Sequence, residues 1–135
     1  MADILILETT FLIDLEREVA RRTEGPAHRF LEHHGEARFC IDSTIAGELA
    51  AGPRAEERAQ WEAFIRPFRI LDCTQEVCWQ YGRVYQYLRV NGILIGTNDL
   101  WISATALAYD LPLVTQNIKH FQRVPGLTVV AYLDE

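Results

Sequence analysis

The stretch Asn98-Asp99-Leu100-Trp101-Ile102-Ser103-Ala104-Thr105-Ala106-Leu107-Ala108-Tyr109-Asp110-Leu111-Pro112-Leu113-Val114-Thr115 decides the fold. From Asn98 to Tyr109 it spells a helix that is apolar nearly all round, through Leu100, Ile102, Ala104, Leu107 and Ala108. A helix without a solvated face must be covered by other parts of the chain. Pro112 follows its end, and Leu113 to Thr115 then reads as a short apolar strand.

Working outward, similar apolar runs recur at Ile4 to Leu7, Arg38 to Ile41, Phe68 to Leu71 and Leu127 to Ala131, several of them too apolar for a strand with one wet face. Helical stretches lie between them. The clearest runs from about Thr74 to Arg89, where Val77, Tyr81, Val84, Tyr85 and Leu88 recur at three- and four-residue spacing, and Asn91-Gly92 stops it. Others are expected at Phe11 to Val19, Pro26 to His34, Ile45 to Ala51 and Ala55 to Ile65, with Gly52-Pro53 as the break between the last two. Strands alternating with helices imply right-handed crossovers and an α/β fold: a central, mainly parallel sheet flanked by helices, α/β/α in three layers.

The chain has 135 residues, 49% hydrophobic and 24% charged, which suits a single domain over residues 1–135 that needs no metal or disulfide to fold. Cys40, Cys73 and Cys78 form no C-x-x-C pair, so reduced, buried thiols are expected. No apolar run reaches the roughly 18 residues of a membrane span, and the N-terminus lacks a basic flank, which points to the cytoplasm. A net charge of -6 argues against passive binding to nucleic acid, but not against a nuclease whose carboxylates hold cations. The basic residues are twelve arginines and one lysine, Lys119.

Ligands of open α/β sheets bind beyond the carboxyl ends of the strands. Glu8 follows the first strand, Glu48 lies early in the helix after the second, Asp99 opens the apolar helix, and Asn117 follows the strand ending at Thr115. Three carboxylates and one amide are thus expected to converge at one sheet edge, a hard oxygen set suited to Mg²⁺ or Mn²⁺ rather than zinc. Alone, each has an ordinary role: Asp99 as a first-turn acid, Glu48 as a solvated helix residue, Glu8 as a loop acid, Asn117 as a turn residue. No phosphate-cradling glycine loop occurs, no catalytic histidine is expected among His28, His33, His34 and His120, and Trp61, Trp79 and Trp101 read as core rather than base-stacking residues.

Four segments carry a more specific likeness. Leu5-Ile6-Leu7-Glu8-Thr9-Thr10-Phe11-Leu12, Ile45-Ala46-Gly47-Glu48-Leu49-Ala50, Gly96-Thr97-Asn98-Asp99-Leu100-Trp101-Ile102-Ser103-Ala104 and Leu113-Val114-Thr115-Gln116-Asn117-Ile118-Lys119-His120-Phe121 resemble, in order and spacing, the VapC-type toxins of the PIN-domain family. The resemblance implies a PIN-like fold and a toxin of a type II toxin–antitoxin module: an endoribonuclease dependent on Mg²⁺, with Mn²⁺ as substitute, that cuts structured RNA such as transfer or ribosomal RNA. It implies catalytic positions at Glu8, Glu48, Asp99 and Asn117, with the first three as metal ligands, support from Thr9 and Thr115, a cognate VapB-type antitoxin, a homodimer, and contact with DNA only through the antitoxin. Two positions depart from the pattern. The family's first acid is Asp where this chain has Glu8, and its fourth is often Asp where this chain has Asn117.

Two rivals stand beside this expectation. One is a catalytically silent PIN-fold binding or regulatory protein, since Glu8 is one methylene too long. The other is a receiver-like phosphoacceptor domain using Asp72 and Lys119, although the acid pair such domains need after the first strand is missing.

Overall fold

In the computed structural model residues 3–53 and 55–133 are described. β1 (Ile4–Leu7) leads through α1 (Thr9–Arg21) and α2 (Pro26–His33) to β2 (Arg38–Asp42), and α3 (Ser43–Ala50) with α4 (Arg58–Ile65) leads on to β3 (Arg69–Leu71). The chain then runs through α5 (Gln75–Val90) and α6 (Thr97–Tyr109) to β4 (Leu113–Val114), and through α7 (Ile118–Phe121) to β5 (Val129–Val130). The strands form one parallel sheet in the order β3-β2-β1-β4-β5. A receiver-like domain has a different order, 2-1-3-4-5, so that alternative falls.

The chain walks outward from β1 to β3 and then returns past β1 to build β4 and β5. With right-handed crossovers, this reversal puts the helices of the first two connections on one face and those of the last two on the other. It also makes the gap between β1 and β4 a topological switch point, where an open sheet leaves a crevice at its carboxyl edge.

Ile6, Leu7, Ile41, Leu113 and Val114 are fully buried, as strands covered on both faces require. α1 adds Phe11, Leu12 and Leu15, and α3 adds Ile45 and Leu49. On α6 Leu100 and Ile102 to Ala106 are all buried, which is what an apolar helix without a solvated face demands. Its other cover is α5, which buries Val77, Val84 and Leu88 and stacks Tyr81 on Trp101 with ring centroids 4.1 Å apart. Thr74 caps α5, and beyond its end Gly92 takes the left-handed conformation at φ 69.

Several expectations change. α7 is a single turn with no room to show a helical period, and no helix was expected there. β5 spans only Val129–Val130 of the expected Leu127 to Ala131, because Gly126 at φ 81 still belongs to a turn. Trp79 is not core: it is 59% exposed on the outer side of α5 with the Arg83 guanidinium over its ring. Trp61 does pack against the core, donating its indole N–H to the Ala46 carbonyl at 3.0 Å. Of the cysteines Cys40 is buried, whereas Cys73 and Cys78, beside the start of α5, are exposed.

Candidate active site

Glu8 is the hinge between strand and helix. Its backbone N–H donates to the Val114 carbonyl at 2.9 Å, tying the end of β1 to β4, and its own carbonyl accepts from Phe11 at 3.0 Å to start α1. As the N-cap residue it turns its carboxylate back over the first turn, where Oε1 accepts the Thr10 hydroxyl at 2.6 Å, the Thr115 hydroxyl at 2.5 Å and the Thr10 amide at 3.3 Å. The residue is only 3% exposed. Burial pushes its carboxyl above the usual range, the two threonines pull it partly back, and the charge of Asp99 adds to the rise.

Glu48 projects from α3 and is half-buried. Its Oε1 accepts the Thr9 hydroxyl at 2.5 Å and its Oε2 the Asn98 amide at 3.1 Å. Asp99, in the first turn of α6, holds its carboxylate 3.0 Å from Nδ1 of His120. Burial raises the Asp99 carboxyl, His120 opposes that rise, and the charge of Glu48 adds to it. Behind Glu48 the buried Asp42 caps α3, accepting the Ile45 amide at 2.8 Å and the Thr105 hydroxyl at 3.0 Å. Burial raises its carboxyl too, with Glu48 contributing.

The three expected acids therefore share one sheet edge and feel one another's charge, but they do not converge into a cage. Among the described residues no three His, Cys, Asp or Glu side chains stand close enough together to hold a cation as they are. The physical reason lies in the partners just named. Like charges separate, and each carboxylate has turned to a local donor: Glu8 to Thr10 and Thr115, Glu48 to Thr9 and Asn98, Asp99 to His120. The donor set nevertheless fits a hard divalent cation, being all oxygen and crowded with charge of one sign.

Asn117 is exposed and lies beside His120, its side-chain amide 3.0 Å from the same Nδ1 that meets Asp99. Nδ1 carries at most one hydrogen, so the Asn117 amide, turned to present Oδ1, would share with Asp99 the single Nδ1–H. Thr9 and Thr115 are both in place, with Thr9 serving Glu48 and Thr115 serving Glu8. Sequence reasoning missed Thr10, Asn98, His120 and Asp42. Asn98 adjoins Asp99 and Thr10 follows Thr9 in the quoted segments, so adjacency was a usable signal for those two. A surface hollow of about 700 Å³, lined by Asp3 and Glu32 to Ala37, lies at the opposite end of the sheet where β1 and β2 begin.

A family model described as PIN domain matches residues 5–127. This chain belongs to the PIN-domain family. Among its relatives, Ribonuclease VapC1 of Rickettsia felis is 32% identical over 134 residues, 93% of this PIN domain and 94% of the relative. Ribonuclease VapC1 of Methanocaldococcus jannaschii is 31% identical over 129 residues, 95% of this chain and 86% of the relative. Solved structures agree. VapBC-1 from nontypeable Haemophilus influenzae is 26% identical with a TM-score of 0.78, covering 96% of this chain and 98% of that one. DNA-bound VapBC from Salmonella typhimurium is 25% identical with a TM-score of 0.81, covering 98% and 100%. The matched residues 5–127 take in Glu8, Glu48, Asp99 and Asn117 alike.

Proposed function

We propose that this PIN domain is a toxin-type endoribonuclease of a VapBC-like module, active in the cytoplasm on structured RNA and dependent on Mg²⁺ or Mn²⁺. The observation that carries the proposal is the set of three mutually charged carboxylates at the switch-point edge, in a chain whose near full-length relatives are named ribonucleases. Glu8, Glu48 and Asp99 would hold the cation. When bound, it supplies a water of lowered pKa and neutralises charge on the phosphate oxygens.

The chain's own residues prepare that chemistry. Thr10 and Thr115 fix the rotamer of Glu8 and share its charge, Thr9 and Asn98 do the same for Glu48, and His120 holds Asp99. Asn117 stands where its amide can hold a water or a substrate oxygen. Because the protein carries a net charge of -6, RNA is drawn to the cation and not to a basic surface. The partner is a VapB-type antitoxin that inserts a basic side chain between the acids, and the protein pairs as a homodimer that reaches DNA only through the antitoxin.

Purified protein with a structured RNA tests this directly. Cleavage is expected with Mg²⁺ or Mn²⁺, none with excess EDTA, and none from Asp99→Asn at unchanged secondary structure. Undiminished cutting in EDTA would exclude the metal role. A second interpretation, a silent PIN-fold binding protein, is favoured by one contact: the long Glu8 side chain is turned back onto Thr115. It would be upheld if antitoxin bound tightly while no RNA was cut under any divalent cation.

A further inference from the structure

Two of the three cysteines meet outside the sheet, at the entrance to α5. Thr74 caps this helix, its hydroxyl accepting the Val77 amide at 3.2 Å. Cys73 thus sits one residue before the cap and Cys78 four residues after it. These are the two positions whose side chains face each other across a capped first turn, usually as an apolar pair. Here the pair is two thiols. Both residues are exposed, while Cys40 is buried.

We propose that Cys73 and Cys78 are a redox modification site, closing to a reversible intramolecular disulfide across the first turn of α5. The oxidant is a small-molecule disulfide. One cysteine thiolate attacks a sulfur of the oxidant, whose S–S bond breaks and releases one small thiolate, leaving a mixed disulfide on the protein. The second cysteine attacks the protein sulfur of that bond, forms the Cys73–Cys78 bond and expels the second small thiolate. The two cysteines lose two electrons and two protons, and the oxidant leaves as two thiols.

The position gives the bond a structural reach. Cys73 also lines a cavity of about 240 Å³ together with Asp42, Trp101 and Thr105. Trp101 follows Asp99 by two residues and stacks on Tyr81, which lies almost one helical turn beyond Cys78. The disulfide would join the end of β3 to the helix that covers α6.

The full-length protein, reduced and then incubated with excess oxidised glutathione, tests the proposal by intact mass and peptide mapping. Expected are a loss of two hydrogens, a peptide linked through Cys73 and Cys78, unmodified Cys40, and full reversal by dithiothreitol. Cys73→Ser and Cys78→Ser should each retain glutathione as a stable mixed disulfide, because the resolving thiol is gone. Glutathione left on both cysteines of the unsubstituted protein, or a bond between two chains, overturns it. So does a folded protein in which neither thiol reacts. The readout on the unsubstituted chain stands even if a serine variant fails to fold.

Discussion

At the scale of single residues, Glu8 governs the site. Its carboxylate accepts the Thr115 hydroxyl across 107 positions of sequence. Ligand placement must hold to about half an ångström for metal catalysis, and an extra methylene displaces the carboxylate by more than that unless something else moves. Glu8→Asp is therefore expected to raise metal-dependent cleavage at least about tenfold, or about 1.4 kcal/mol in the barrier. Equal rates for the two proteins under matched Mg²⁺ and Mn²⁺ would mean that Glu8 is a fully competent ligand. Glu8 and Asp99 were legible because the one directly follows a strand and the other opens a helix, where sequence pattern and the rule for sheet edges agree, whereas Glu48 lies in the second half of α3. His120 was not, since it lies on a one-turn helix whose direction nothing local sets. Thr10 escaped because the rotation of the first turn of α1, which aims Thr9 at Glu48 and Thr10 at Glu8, is fixed by packing.

At the scale of elements, the joint between α1 and α2 shows how one side chain can replace a missing cap. Gly25 precedes Pro26 and offers α2 no side-chain acceptor. Glu18, buried on α1, supplies one instead: it accepts the amides of Gly25, Ala27 and His28 at 2.9, 3.0 and 3.0 Å and meets His28 Nδ1 at 2.6 Å. These bonds hold its carboxyl below the usual range against the effect of burial. A side chain at position 25 would collide with it, since a Cβ there would lie 2.6 Å from a Glu18 oxygen, which explains the glycine. Glu18→Ala should cost about 2 kcal/mol in denaturant unfolding, because three amides, one of them buried, lose a charged acceptor at once. A loss smaller than about 0.5 kcal/mol would place the joint's stability in its apolar contacts instead. No sequence pattern announced this cap, because it comes from eight residues before the helix it serves.

For the whole molecule, electrostatics dominate. Glu8, Asp42 and Asp99 all have carboxyls raised above their ordinary values, chiefly by burial. A carboxyl with a higher pKa in the folded state takes up protons more readily there, so its stabilising contribution is present at low pH and is lost as pH rises through the raised value. The protein in EDTA should accordingly melt at higher temperature as pH falls from neutrality toward, but not into, the ordinary carboxylate range, and saturating Mn²⁺ should flatten that slope. Glu18 acts in the opposite sense, but below its ordinary value of 4.5 and hence outside this range. A melting temperature that fell over the same interval in EDTA would show that burial does not raise these carboxyls. The parallel sheet was legible at this scale from apolar runs alone, whereas its strand order was not, since periodicity says nothing about which strand becomes the neighbour of which.

The order β3-β2-β1-β4-β5 also sets a clock. β1 is synthesised first, and β2 and β3 can dock beside it as they leave the ribosome. The other flank stays open until β4 arrives, and with it Thr115, Asn117 and His120. At bacterial elongation rates of about 5–20 residues per second, the interval between Glu8 and Thr115 lasts roughly 5–20 seconds. For all that time the nascent chain carries its first acid with Thr10 beside it but without Thr115 and the β4 strand that complete its setting. The proposed catalytic edge is therefore incomplete for as long as β4 has not paired with β1.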